Sequence, residues 1–110
     1  MLAGPLFGER RAAFCTLRAG AEAAFFAWAR EELAGKAVPM KAVDLLAAGL
    51  LGPGRPHPRL AERIGDAVLL MEPGWTLSDR VAGETPHRMI GVHGGLSADE
   101  MRVPLIVTRA

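Results

Sequence analysis

The 110-residue chain contains no Asn, no Gln and no Tyr, and it has a single cysteine. One cysteine excludes an internal disulfide framework, and its place in an apolar run predicts that Cys15 is an inert buried thiol. No apolar run reaches the ~18 residues that a membrane-spanning helix needs, and the N-terminal residues lack the basic flank of a signal peptide. We therefore expect a cytoplasmic protein, and the missing amides are typical of a thermophile.

The chain also lacks an excess of either charge, since 13 basic and 12 acidic residues leave a formal net charge of +1. Only Arg10 and Arg11 are adjacent basic residues, and the few aromatic residues are not interleaved with basic ones. This distribution argues against nucleic acid and against a membrane surface as partners. Glycine-rich stretches are present, but none has the spacing of a phosphate loop or of a dinucleotide-binding fingerprint.

Half of the residues are hydrophobic, which is enough for one modest core and predicts a single small domain over residues 1–110. The pattern indicates a mixed α/β (α+β) fold with a small sheet of four to five strands. The predicted strands are Ala12–Leu17, Ala37–Met40, Ala67–Met71, Trp75–Leu77 and Val103–Thr108. Ala67–Met71 is expected at the centre of the sheet because it is apolar throughout, and Trp75–Leu77 beside it as a hairpin. Pro39 favours an edge position for its strand.

Two main helices and one short helix complete the predicted fold. The first helix covers Ala21–Leu33, with Phe25, Ala29 and Leu33 on one core-facing side and Phe26 and Trp28 widening this apolar stripe. The second places Val43, Leu46, Ala47 and Leu50 on one face, and the short helix covers Arg59–Ile64. Residues 1–9 are expected to form an irregular lead-in, and residues 78–91 a long loop.

The segment from Gly91 to Val107 carries the best candidate for a functional residue. His93 lies between glycines, which keep bulk away from its imidazole. Ser97 and Glu100 have the spacing of a capping box, and Leu96 and Met101 that of a hydrophobic staple. The sequence therefore predicts a well-specified turn that presents one histidine.

This segment resembles the part of the alkaline phosphatase superfamily that closes the active site, above all in the nucleotide pyrophosphatase and phosphodiesterase branch and its relatives with a PglZ-type domain. The resemblance covers roughly residues 59–107. The matching stretches are Pro58-Arg59-Leu60, Ile64-Gly65-Asp66, Val68-Leu69-Leu70, His93-Gly94-Gly95-Leu96-Ser97 and the Val103-Pro104-Leu105 strand. It implies a fold like the C-terminal part of an alkaline phosphatase and makes His93 one ligand of a two-zinc centre. The family's nucleophile and its other metal ligands lie upstream of the matched part, so no catalytic residue is expected here.

Three functional hypotheses follow. In the first, the chain is a C-terminal fragment or stand-alone relative of a metal-dependent phosphodiesterase, inactive by itself, which binds zinc through His93 where another chain completes the site. In the second, it is a non-catalytic domain that forms a homo-oligomer or binds a partner chain through exposed apolar surface. In the third, it is a small metal-binding protein with a site across a symmetric dimer.

The other histidines offer a weaker metal site. His87 could join His93 and a carboxylate from Asp79, Glu84 or Asp99, although six residues is no recognised ligand spacing. His57 lies between two prolines, where we expect it to cap the short helix or to lie in solvent.

Overall fold

The computed structural model of the protein describes residues 1–85 and 89–109, and within them the fold is mixed α+β. Four strands form one antiparallel sheet in the order β1-β2-β4-β3. The strands are β1 (Phe7–Glu9), β2 (Ala12–Cys15), β3 (Ala37–Lys41) and β4 (Ala67–Met71). The helices are α1 (Glu22–Glu32), α2 (Ala42–Ala47), α3 (Leu60–Arg63) and α4 (Ala98–Met101).

The two inner strands, β2 and β4, confirm the prediction of a central apolar strand. β4 pairs with β2 on one side and β3 on the other, so that Val68 lies between Phe14 and Met40. Because both faces of β4 are covered, its residues are buried along almost the whole strand. β3 is an edge strand, as Pro39 predicts, since proline has no N–H to give to a further strand.

The first helix packs on one face of this sheet and forms the main core. Phe25, Phe26 and Ala29 of α1 are buried against Cys15 and Leu69 of the central strands. The predicted helix and its core-facing aromatic residue are therefore confirmed. Burial raises the pKa of the Cys15 thiol to about 11, because the apolar surroundings disfavour the thiolate.

The second helix differs from the prediction in both its length and its buried face. α2 ends at Ala47, and its buried residues are Ala42 and Leu45, whereas Val43 of the predicted face is 61% exposed. The reason is the start of the helix, where the Ala42 N–H donates to Asp66 O and so fixes the first turn against β4. Gly49, in a left-handed conformation with φ +69, follows before a longer apolar stripe can form. The short third helix is confirmed.

The predicted irregular lead-in, residues 1–9, is wrong for its last three residues, and residues 1–6 contain no helix or strand. Phe7–Glu9 form edge strand β1, and Leu2 makes an isolated bridge to Leu17. The Phe7 ring stacks on Phe14 of β2, with ring centroids 5.8 Å apart, and this contact holds β1 on the sheet. The sequence does not indicate this strand, because glycine and proline nearby are typical of loops. The contact that stabilises it is made to a residue of another strand.

Two predicted strands, Trp75–Leu77 and Val103–Thr108, are not strands in the structure. The chain does turn after β4, where the Trp75 N–H donates to Glu72 O, but both positions beside β4 are already taken by β2 and β3. Leu77 instead donates its N–H to Arg10 O at the end of the β1–β2 pair. The segment after α4 runs outside the sheet and is exposed.

The described residues of the predicted loop 78–91 contain no helix or strand, in agreement with the prediction. His87 lies outside the described residues. Among those that are described, no helix has both the length and the apolar character that a membrane crossing requires.

Candidate functional site

The His93 turn, residues 91–97, connects the long loop to α4 and passes beside the end of β1. The His93 side chain is 76% exposed, and its Nδ1 atom lies 3.9 Å from Glu9 Oε2. Glu9 is the last residue of β1, and its carboxylate is also largely exposed. The turn thus presents an imidazole and a carboxylate side by side to the solvent.

The two glycines after His93 are required by two different neighbours. Gly94 has φ +88, and a Cβ atom there would lie only 2.8 Å from Glu9 Cγ. Gly95 lies against the Glu100 carboxylate, which accepts its N–H at 3.2 Å and would overlap a Cβ atom. In both places the backbone lies too close to a neighbouring side chain for a Cβ atom to fit. From the sequence alone, the two glycines indicate only that little bulk surrounds the imidazole.

Glu100 connects the His93 turn to α4. Its carboxylate accepts the Ser97 hydroxyl at 2.5 Å and the Ser97 N–H at 3.4 Å, which is the carboxylate half of the predicted capping box. The predicted hydrophobic staple is not buried, since Met101 is among the exposed apolar residues. Polar contacts to Glu100 therefore hold this turn.

A buried arginine fixes Glu100 to the sheet. Arg11 is 5% exposed, and its Nε and Nη2 atoms donate to the two Glu100 oxygens at 2.8 and 2.6 Å. Its Nη1 atom also donates to the carbonyl oxygens of Glu72 and Trp75 at 2.7 and 2.5 Å. Arg11 therefore joins the start of β2, the turn after β4 and α4 in one hydrogen-bonded network.

The electrostatics of this network keep both groups charged. Hydrogen bonds from Arg11, the larger cause, and from the Ser97 hydroxyl together lower the pKa of the Glu100 carboxyl to about 2. The same hydrogen bond raises the pKa of Arg11. A carboxylate held so firmly by a guanidinium is a structural group, because all its strong acceptor positions are in use.

The predicted ligand set of His87, His93 and a carboxylate lies partly outside the described residues, because His87 does. Within residues 1–85 and 89–109, no group of three His, Cys, Asp or Glu side chains is placed to hold a metal ion. Asp79 accepts the N–H of Leu6 at 2.9 Å, so it holds the N-terminal segment instead. His57 is exposed, as one of its two predicted positions requires, and its Nδ1 accepts the Arg59 N–H at 3.1 Å without capping the short helix.

Zinc requires at least three protein ligands, and the described part of the His93 turn offers two side chains of the right type, His93 and Glu9. These residues do not by themselves fit a zinc site. The sequence does not predict the position of Glu9 beside His93, because residues 1–9 have no strand pattern. The pairing of β1 with β2 is what brings it beside His93.

The C-terminal arm, Val103–Val107, is the most apolar exposed part of the described chain. Val103, Leu105, Ile106 and Val107 are 81–87% exposed. These four residues lie within five consecutive positions, so the apolar surface is contiguous along the chain. Such a segment is typical of a strand that is covered on both faces.

Searches against protein-family models, curated proteins and solved structures found no match to this chain. The His93 turn and the C-terminal arm are therefore the two features that indicate a function.

Proposed function

We propose that this chain is a non-catalytic unit that associates with a second copy of itself through its C-terminal arm. The observation that carries this proposal is the exposure of four large aliphatic side chains within five consecutive residues. A contiguous apolar surface of this kind is the usual mark of an interaction site.

The root of the arm is fixed, which supports association through it. α4 immediately precedes the arm, and the Arg11–Glu100 ion pair ties α4 to the sheet. A segment with a fixed origin loses less conformational freedom on binding than one attached through a flexible linker, so more of the binding energy is retained. A closed pair of identical chains would cover both arms at once.

Sedimentation or light scattering of the purified chain over a range of concentrations tests this proposal. We expect a dimer or a larger closed oligomer, and we expect Leu105→Asp with Ile106→Asp to give a monomer. Val43→Asp with Leu51→Asp is the matched control, because it places the same two charges on exposed aliphatic residues elsewhere. A wild-type chain that stays monomeric at high concentration, or an arm variant that still assembles, would contradict the proposal.

We propose secondly that the exposed His93 turn forms one side of a metal-dependent phosphodiesterase-like site that another chain completes. The juxtaposition of His93 and Glu9 favours this, since imidazole and carboxylate are both ligands that zinc accepts. The resemblance to the alkaline phosphatase superfamily at His93-Gly94-Gly95-Leu96-Ser97 gives the reaction class. With two ligands the chain alone should not hydrolyse a phosphodiester, because a two-metal site needs ligands for both ions.

Native mass spectrometry with added zinc tests this second proposal apart from activity. We expect the isolated wild type to take up zinc only weakly, because His93 and Glu9 supply two of the three ligands that a stable site needs; uptake should fall in His93→Ala and Glu9→Gln and stay unchanged in His57→Ala. Equal zinc retention in His93→Ala and the wild type would contradict the role of His93. Robust phosphodiester turnover by the isolated chain would contradict the need for another chain.

A further inference from the structure

An apolar cavity of about 250 Å³ lies between α1, the N-terminal segment and the sheet. Its floor is formed by Cys15, Phe25 and Leu69, which are 0–3% exposed. Its rim includes Met1 and Trp28, which are 45% and 41% exposed. The cavity therefore reaches from the solvent to the main core.

The wall of the cavity offers no charged or strongly polar side chain, since every lining side chain is aliphatic, aromatic or sulfur-containing. The Cys15 thiol stays neutral because its burial opposes ionisation, and its Sγ contacts the Ala13 carbonyl oxygen at 4.0 Å. Water in such a space would lack the two to four polar partners that it needs. An apolar ligand is the chemistry that this wall accepts.

The volume sets the size of the ligand. A water molecule occupies ~30 Å³ of the liquid, and a methylene group is similar in size, so the cavity has room for about eight methylene groups. The half-exposed Trp28 at the rim leaves one end of such a chain next to the solvent. This arrangement favours a linear alkyl chain with a polar head at the opening.

A cation, Arg18, lies beside two of the residues that line the cavity. The Arg18 backbone N–H donates to Met1 O at 2.9 Å, and the Arg18 Nε donates to Leu2 O at 3.0 Å, and both acceptor residues line the cavity. The guanidinium has five N–H donors, and the Nε–H is the one given to Leu2. The fork of Nη donors matches a carboxylate in geometry and charge.

From the apolar wall, the volume and the position of Arg18, we propose that this cavity binds a medium-chain fatty acid, whose alkyl chain fills the cavity and whose carboxylate pairs with Arg18. The site lies apart from the His93 turn and the C-terminal arm, and the proposed function does not depend on it.

Decanoate is the probe, because its chain has the length that the cavity accommodates. The chain has two tryptophans, so Trp75→Phe leaves Trp28 at the rim as the reporter, and Trp28→Phe leaves Trp75, which does not line the cavity. Below the micelle concentration of decanoate, we expect a saturable shift of Trp28 emission to shorter wavelength, and no shift in Trp28→Phe. Absence of saturable binding would overturn the proposal.

Calorimetry on filled-cavity variants tests the location. Leu33→Trp and Leu2→Trp each place an indole in the cavity, from α1 and from the N-terminal segment, and we expect at least a tenfold loss of decanoate affinity in whichever variant folds. Val43→Trp, which adds the same side chain to the exposed side of α2, should bind as the wild type does. Unchanged affinity in a folded filled-cavity variant would overturn the assignment.

Removal of the Arg18 charge tests whether the carboxylate head group is bound there. We expect Arg18→Gln to weaken decanoate binding by about threefold to tenfold, because this is what one charge-assisted hydrogen bond near the surface contributes. Decanol has no carboxylate, so its binding should stay unchanged. Arg63→Gln, at an exposed arginine of α3, is the matched control. Binding of decanol in preference to decanoate, or equal loss of both in Arg18→Gln, would overturn the fatty-acid assignment.

Discussion

Arg11 and Glu100 are 89 positions apart in the sequence, yet the guanidinium of Arg11 donates to both oxygens of the Glu100 carboxylate. This ion pair joins the first residues before β2 to α4, near the C-terminal end of the described chain. The His93 turn and the C-terminal arm lie on either side of α4, so one contact positions both candidate functional segments.

Replacement of Arg11 by Met tests the importance of this contact. The change removes the donors that satisfy the carbonyl oxygens of Glu72 and Trp75, and it leaves Glu100 without its partner. We expect the free energy of unfolding to fall by about 1–3 kcal/mol, the usual result of leaving buried acceptors unsatisfied. Urea unfolding followed by circular dichroism measures this, with the exposed Arg63→Met as control. An equal effect in both variants would mean that the network does not stabilise the fold.

Acid should weaken the same contact. The folded-state pKa of Glu100 is about 2, well below its ordinary value of 4.5. The stabilisation from this lowered pKa is complete above pH 4.5 and disappears as the pH falls through about 2, because the folded state must then bind a proton that it disfavours. We expect the stability difference between the wild type and Glu100→Gln to shrink over this window. Thermal unfolding between pH 7 and pH 2 measures it.

Glu31→Gln serves as the control for that experiment, because it removes one negative charge from an exposed position on α1. A stability difference for Glu100→Gln that stays constant from pH 7 to pH 2 would contradict the Arg11–Glu100 pair as the cause.

The central elements of the fold are predictable from the sequence because their signals are local. Ala67–Met71 is apolar throughout and becomes the inner strand β4, and Pro39 marks β3 as an edge strand. The first helix likewise buries Phe25 and Phe26 of its apolar stripe, whereas Trp28 stays 41% exposed. In these elements the pattern and the tertiary environment agree.

The structure differs from the predictions where residues far away in the sequence determine the local conformation or contact. Phe7–Glu9 form a strand because Phe14 stacks on Phe7, and a Gly- and Pro-containing segment does not show this. Val103–Thr108 has the composition of a strand, but it lies outside the sheet. The sequence shows Arg11 only as one of two adjacent arginines, because Glu100 is far away in the sequence and no local pattern connects the two residues.

The buried side of α2 can be tested directly. Leu45 is 2% exposed, whereas Val43, which the helical periodicity places on the core face, is 61% exposed. We expect Leu45→Ala to lower the free energy of unfolding by about 2–5 kcal/mol, since it leaves a cavity in the core. Val43→Ala should change it by no more than about 0.5 kcal/mol. Chemical denaturation of the two variants decides between the faces, and a larger effect at Val43 would support the face predicted from periodicity.

Gly95 should be intolerant of a side chain because of Glu100. A Cβ atom at this position would overlap the Glu100 carboxylate, which cannot swing away without breaking its bonds to Arg11. We expect Gly95→Ala to lower the unfolding midpoint, whereas Gly91→Ala should not, because no heavy atom beyond its chain neighbours lies within 4 Å of a Cβ there. In a Glu100→Ala background the effect of Gly95→Ala should largely disappear, since the obstructing carboxylate is gone. Additive effects of the two changes would show that Gly95 is required for some other reason than this contact.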